Sequence, residues 1–257
     1  MSNKIERKPH NVEWDKKKIT EYWDVFGNID PVTPWFSVKA SGFILNELKS
    51  LKRKYLTSGN IKILDIGSGS GDLLERIHQE LGFDCYGIDI STDRIEKSKS
   101  IHPKLKFSKG EIIDTGLDEN FFDVVISTQT IEHLLNEDLE SAFLEMSRVL
   151  KPGGILFLTT RFEENLNQKL KVCPDCLCIF LHSQHLQSFT CSAIDSFFTK
   201  FGLKTIINKK SLCRDSLKEF IPNCLNWLNF FVNPFFHKYM DKRSGKYLYA
   251  VGQKINE

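Results

Sequence analysis

Between Val12 and Asn28 the apolar residues Ile19, Tyr22, Trp23 and Phe26 recur three and four positions apart, which predicts a helix with one buried face. "GNIDPVTPWF", with two prolines and a glycine, ends that pattern. Phe43, Ile44, Leu45, Leu48 and Leu51 predict a second helix. From Ile61 the period changes. "IKILDIG", "DCYGIDI", "LKFSKGEII", "FFDVVIST" and "ILFLTT" read as buried strands. Between them lie helical stretches: Leu73, Leu74, Ile77 and Leu81 on one face, then "RIEKSKSI", then "EDLESAFLEMSRVL" stopped by "KPGG". Strands alternating with helices predict an α/β fold, a doubly wound and mostly parallel sheet. After Phe162 the alternation is broken by a Cys/His-rich stretch. A helix at "SAIDSFFTKFG" follows, then strands at "LKTIINKK" and "KYLYAVGQK", with an aromatic segment between them. The expected organisation is an N-terminal helical cap over 1–58 and a main domain over 59–257. That domain would carry a Cys/His insert at 165–190 and an aromatic-rich insert at 211–245.

Composition narrows the function classes. The chain has 257 residues, enough for one large α/β domain. A formal net charge of +2 argues against a protein built mainly to hold nucleic acid. The chain start lacks an apolar core, so no secretory signal is expected. Seven cysteines, an odd number, read as reduced thiols or metal ligands and favour a cytoplasmic location.

The chemistry gathers at the strand ends. "ILDIGSGSG" places Asp65, Gly67, Ser68, Gly69 and Gly71 between the first strand and its helix, the plan of a nucleotide-cofactor site. A dinucleotide pyrophosphate prefers G-x-G-x-x-G. Here the third fingerprint position is Asp72, whose carboxylate would repel a phosphate at a helix start. No Lys-Ser/Thr pair follows, which excludes a P-loop. S-adenosylmethionine carries no phosphate and is cationic at its sulfonium and ammonium groups. Asp65 suits the ammonium, and glycines let a ligand lie against bare backbone. Asp89, with Ile90 beside it, ends the second strand where an acid can accept ribose hydroxyls. Glu111 stands where a carboxylate can accept the adenine amine, and Ile112 where it can pack on the ring. Gln129 lies in "STQTIEHL", which begins at the end of the fourth strand.

In these residues the chain resembles the class I S-adenosylmethionine-dependent methyltransferases. The matching stretches are "ILDIGSGSG", "GIDIS", "KGEIID…NFFDVVISTQTIEHL" and "EMSRVLKPGGILFLTT", from about Ile61 to Thr160. Glu111 departs from the aspartate common in that family by one methylene. The resemblance implies a seven-stranded sheet whose last strand is antiparallel. It also implies an enzyme that transfers a methyl group by in-line displacement, mainly by aligning donor and acceptor. A hydroxyl acceptor would need a base; His133 is the candidate, with Glu132 second, and the alternative for His133 is packing beside the cofactor.

"VCPDCLCIFLHSQHLQSF" offers two further readings. Cys173-x-x-Cys176 with His182-x-x-His185 is a donor set that tetrahedral zinc takes. The other reading is reduced cysteines beside an incidental histidine pair, since Cys178 is surplus and no glycine follows Cys176. Some class I methyltransferases carry a similar insert, and that resemblance favours a structural zinc at the mouth of the site. The aromatic segment lies in a stretch, Lys209–Lys246, with eight bases against three acids. It is expected to be a packed cap, a dimer contact or, through 220–240, a peripheral membrane contact. The expected substrate is a small molecule, such as a sugar or a lipid-linked precursor. The alternatives are an RNA or protein methyltransferase gripping its substrate with the insert, and a non-catalytic cofactor-binding protein.

Overall fold

The computed structural model describes residues 8–28, 35–56, 59–213 and 246–255. The chain runs β1 (His10–Asn11), α1 (Lys16–Asn28), α2 (Phe36–Lys39), α3 (Ser41–Tyr55), β2 (Lys62–Ile66), α4 (Asp72–Leu81), β3 (Asp84–Asp89), α5 (Thr92–Ile101), β4 (Lys106–Lys109) and β5 (Phe122–Thr128). It continues through α6 (Leu139–Val149), β6 (Leu150–Arg161), β7 (Leu170–Val172), β8 (Cys178–Leu181), α7 (Cys191–Lys200), β9 (Leu203–Ser211) and β10 (Tyr247–Lys254). The aromatic segment, with the supposed contact at 220–240, lies outside the described residues.

The large sheet has seven strands in the order β4-β3-β2-β5-β6-β10-β9. β4, β3, β2, β5 and β6 are parallel, and β10 runs antiparallel to both β6 and β9. Its strands are apolar on both faces because helices cover both. Ile63, Val124, Ile126, Ile155 and Phe157 pack with α3, α4 and α5 residues such as Leu48, Ile77 and Ile95. Their neighbours Leu64, Val125, Leu156 and Leu158 pack on the other side with Phe143, Met146, Ile194 and Phe198 of α6 and α7. The period of two along each strand is thus a division between two cores. The order reverses between β2 and β5, which opens a crevice at their carboxyl ends.

Two boundaries differ from the sequence expectation. The first helix starts at Lys16 rather than Val12, because Val12 N–H donates to Ile179 and Asp15 caps the helix through Lys18 N–H. The third strand of the core stops at Lys109, because the chain turns at 110–114 with Asp114 N–H bonded to the Glu111 carbonyl. A finding with larger consequences is a second sheet, β1-β8-β7, in which the start of the chain pairs with the Cys/His insert. The cap and the insert are therefore one structure built from stretches about 160 residues apart in the sequence.

Candidate active site

The glycine turn is held tightly between its neighbours. Gly67 and Ser68 N–H both donate to the Ile88 carbonyl at 2.9 Å, and Gly71 N–H to the Ser68 carbonyl at 3.0 Å. Gly67, Gly69 and Gly71 have φ of +80°, +56° and +79°. A Cβ on Gly67 would lie 2.5 Å from Thr130 Oγ1, and one on Gly71 2.5 Å from the Phe107 ring. At Gly69 the nearest group is the Arg94 guanidinium, at 3.9 Å. So Gly67 and Gly71 serve the protein's own packing, and Gly69 leaves room for a ligand.

Two carboxylates face this turn. Asp65 is fully buried at the end of β2, and its Oδ1 has no hydrogen-bond partner. Burial, then the charge of Asp89, raises its pKa to about 8. Asp89 at the end of β3 accepts Gly69 N–H at 2.9 Å and Ser91 N–H at 3.0 Å, with Arg94 at 3.8 Å. Each carboxylate oxygen retains acceptor capacity. The Ser68 hydroxyl is also buried and unpartnered. Buried acceptors without partners are costly, so the crevice calls for a ligand with positive charge and donors, which S-adenosylmethionine is. Ile90 is half-buried beside Asp89, Glu111 is exposed past β4, and Ile112 is buried against Ile66 and Ile88.

At the far end of the crevice stands a second polar cluster. Gln129, at φ +54°, bonds with Glu132 and with Thr160 N–H, both at 3.2 Å. Glu132 is fully buried and accepts the Thr160 hydroxyl at 2.9 Å; burial pushes its pKa up to about 7. His133 is half-buried, and its Nδ1 meets the Gln184 carbonyl at 3.2 Å. A carbonyl only accepts, so Nδ1 carries the proton. Burial, then the nearby His185, holds its pKa down at about 3. The two imidazoles lie 4.9 Å apart, and Glu132, His133 and His185 offer polar atoms within 4.8 Å of one another. His185 Nδ1 is bonded to Glu164. Burial opposes ionisation of Glu164, but the His185 bond and the charges of Arg161 and Lys169 hold its pKa below the ordinary carboxyl value.

α1 roofs this cluster. The Trp23 indole donates to the buried Gln184 side chain at 2.9 Å, its ring lies 4.7 Å from His133, and the Arg94 guanidinium sits 5.1 Å from it. The Tyr22 hydroxyl donates to the His182 carbonyl at 2.7 Å.

The four residues expected to hold zinc are split by this arrangement. His185 belongs to the crevice, fixed there by Glu164, and His182 is exposed with its ring 6.1 Å from Phe26. The thiols of Cys173 and Cys176 are joined instead by Cys178, the cysteine the sequence reading left over. Trp23, Arg94, Glu164 and Gln184 also went unrecognised. Trp23 was read only as an apolar face, and the others carry no motif.

The methyltransferase domain family matches residues 64–158. A ubiquinone biosynthesis O-methyltransferase of Pelagibacter ubique is 32% identical over 178 residues, 66% of this chain and 68% of that protein. The chain belongs to the class I S-adenosylmethionine-dependent methyltransferases. Among solved structures, a chain of the complex between the Haloferax volcanii Trm112 methyltransferase activator and a methyltransferase superposes with a TM-score of 0.62 at 16% identity. It covers 93% of this chain and 98% of that one. Haemonchus contortus phosphoethanolamine N-methyltransferase 2, solved with S-adenosylmethionine, gives 0.58 at 16% identity, over 93% of this chain and 60% of that one. These two show the methyltransferase's fold. It spans only 37–39% of the length of the next curated relatives. None of its described helices is long and apolar enough to cross a membrane.

Proposed function

We propose that this methyltransferase methylates a hydroxyl group on a small anionic molecule. The observation that carries this reading is the Glu164–His185 pair beside His133 in that second polar cluster. A hydroxyl must lose its proton as the new bond to carbon forms, and a base with pKa near the working pH serves best. His133, depressed to about 3, is a poor base. His185 donates Nδ1–H to a carboxylate, which fixes the ring and leaves Nε2 to take the acceptor's proton. When bound, the cofactor would supply the methyl group, its sulfonium becoming a neutral thioether. Asp65, Asp89 and Glu111 are the residues we assign to its amino group, ribose and adenine, with Gly67, Ser68, Gly69 and Gly71 as the cradle, and Ile90, Ile112 and Gln129 along its sides.

The anionic substrate follows from the next cavity, of about 280 Å³, where Arg161, Lys169, Lys210 and Lys246 outnumber Glu163 and Glu164. Arg161 Nε is buried there without a partner. The names of the ubiquinone relatives, O-methyltransferases, support the acceptor atom. The Cys/His insert we read as holding a structural zinc, outside the chemistry.

The test is S-adenosylmethionine-dependent turnover of hydroxylated acids and phosphates, with the product's methyl group located by mass spectrometry. An O-methyl product is expected, and His185→Ala should lower kcat by about 10²–10⁴-fold, the range for a general base. Cofactor affinity should be unchanged in that variant. An N-methyl product, or an acceptor destroyed by nuclease or protease, would overturn the assignment.

A further inference from the structure

Cys173, Cys176 and Cys178 are reduced, and none of them is buried, although cysteine is among the most buried residue types. Their sulfur atoms still converge within 4.8 Å of one another. The backbone is folded to bring them there. Cys173 N–H donates to the Cys178 carbonyl and Leu177 N–H to the Cys173 carbonyl, both at 2.9 Å. Between two of the cysteines Leu177 takes φ of +63°, a conformation that favours glycine. Three thiolates with this spacing are a tetrahedral metal site short of one donor.

A candidate fourth donor stands near the start of the sequence. β1 runs parallel to β8, and His10 is the register partner of Cys178. Paired residues in a parallel ladder project from the same face. His10 Nδ1 meets the Lys8 carbonyl at 3.1 Å. That carbonyl only accepts, so Nδ1 carries the proton and Nε2 keeps its lone pair, the arrangement in which a histidine binds a metal. Thiolate and imidazole donors together select zinc over the hard cations magnesium and calcium.

We propose that His10, Cys173, Cys176 and Cys178 form a Cys3His zinc site that staples the start of the chain to the insert. This rests on the structural-zinc reading above and replaces its two histidine donors, His182 and His185, with Cys178 and His10. The staple has a purpose that the ladder alone cannot serve. β1 is two residues long, and a pairing that short is not stable by itself. Yet it anchors α1, whose Tyr22 and Trp23 reach His182, Gln184 and His133 over the acceptor end of the crevice. A metal at His10 fixes the roof of the site without entering it.

Full-length protein, purified under reductant and without chelator, should carry about one zinc per chain. It should lose the metal in the Cys173→Ser, Cys176→Ser double variant. Against a chromophoric chelator, His10→Ala should release zinc more than about tenfold more readily, since even partners outside the metal's own shell are worth ~10–100-fold. His10→Cys should restore retention and serves as the folding control. Amide exchange across α1 should quicken in His10→Ala and in chelated wild type, with β2 and β5 unchanged. Wild type without metal, or with a disulfide among the three cysteines in its place, overturns the zinc reading and the staple together. Zinc that survives loss of Cys173 and Cys176 overturns the thiol set. Zinc that needs the thiols but ignores His10, with α1 exchange unmoved, overturns the staple alone.

Discussion

Two regions of this molecule put main chain into the left-handed region by opposite means. At the crevice the work falls to glycine, at Gly67, Gly69 and Gly71. In the insert it falls to Lys169, Leu177 and Gln184, at φ +62°, +63° and +53°. The glycine turn closes on residues of the sheet it connects: the Ile88 carbonyl, Thr130 and Phe107. The insert turns are closed locally, as by Cys173 and Leu177 N–H, and are then held by groups distant in sequence, among them Trp23 at Gln184 and the β1 strand beside Cys178. A turn that uses glycine folds the same way in many surroundings. A turn that forces leucine to imitate glycine depends on what surrounds it. The crevice should therefore fail when its own residues change and ignore the insert, whereas the insert should respond to contacts made elsewhere.

The largest expected effect is at Gly71. An alanine there must take φ near +79° with its Cβ 2.5 Å from the buried Phe107 ring. The left-handed conformation costs ~1–2 kcal/mol and overpacking ~1–3 kcal/mol, so Gly71→Ala should lose about 2–5 kcal/mol in urea denaturation. A loss under about 1 kcal/mol would mean the turn relaxes easily and the contrast with the insert is unfounded.

Next comes cofactor affinity. Asp89→Ala removes a carboxylate that organises Gly69 and Ser91 and that we assign to the ribose. Binding of S-adenosylhomocysteine should weaken by about 1–3 kcal/mol, roughly 6- to 150-fold, as for charge-assisted hydrogen bonds. The Cys173→Ser, Cys176→Ser protein should bind it within a factor of about 2, inside the ~0.5 kcal/mol scatter of distant independent sites. Equal losses in both proteins, measured by calorimetry, would show that the two regions are one thermodynamic unit.

The third effect is in pH. Asp65 is raised from 3.8 to about 8, by burial first and Asp89 second. The raised value favours the folded cofactor-free protein most below pH 3.8, and that contribution is lost as pH rises toward 8. A cationic ligand prefers ionised Asp65, so S-adenosylmethionine binding should release a proton below that pKa. Affinity should then rise with pH up to about 8, by at most ~1.4 kcal/mol per unit, and level off above it. Calorimetry in buffers of different ionisation enthalpy counts the proton. Asp65→Asn should abolish the slope, and a slope that persists in it would assign the proton to another group, Glu132 first, raised to about 7 by its burial.

What the sequence disclosed follows the same division. The strands and the glycine turn were legible because period and turn chemistry are local, and both faces of β2, β5 and β6 are covered. Asp65 and Asp89 were legible as strand-end acids for the same reason. His133 was legible as a residue but not as a weak base, since its low pKa comes from burial and from His185, 52 positions on. The zinc set proposed from the structure differs from the one read in the sequence, because spacing in C-x-x-C and H-x-x-H suggests pairs, whereas in the structure the three thiols converge. Glu164 holds one of those histidines in the crevice, and the donor we propose in its place lies more than 160 positions away. No periodicity reports a pairing of that kind.

The smallest expected effect tests the insert turn itself. Leu177→Gly would relieve a left-handed leucine, worth ~1–2 kcal/mol. It would also free the unfolded chain by ~0.4–1 kcal/mol and give up a half-buried side chain worth about 1 kcal/mol. These nearly cancel, so stability should move by less than about 1 kcal/mol in either direction, the residual of the three contributions. Zinc retention should be unchanged, because the carbonyls that close the turn and all three thiols remain. Leu177→Val should be worse than glycine in both respects, since a β-branched residue is a genuine outlier at positive φ. Thermal melts with metal present would read the difference. If glycine lost more than about 2 kcal/mol while valine did not, the leucine side chain rather than the backbone would be holding the turn, and the contrast between the two turns would rest on packing alone.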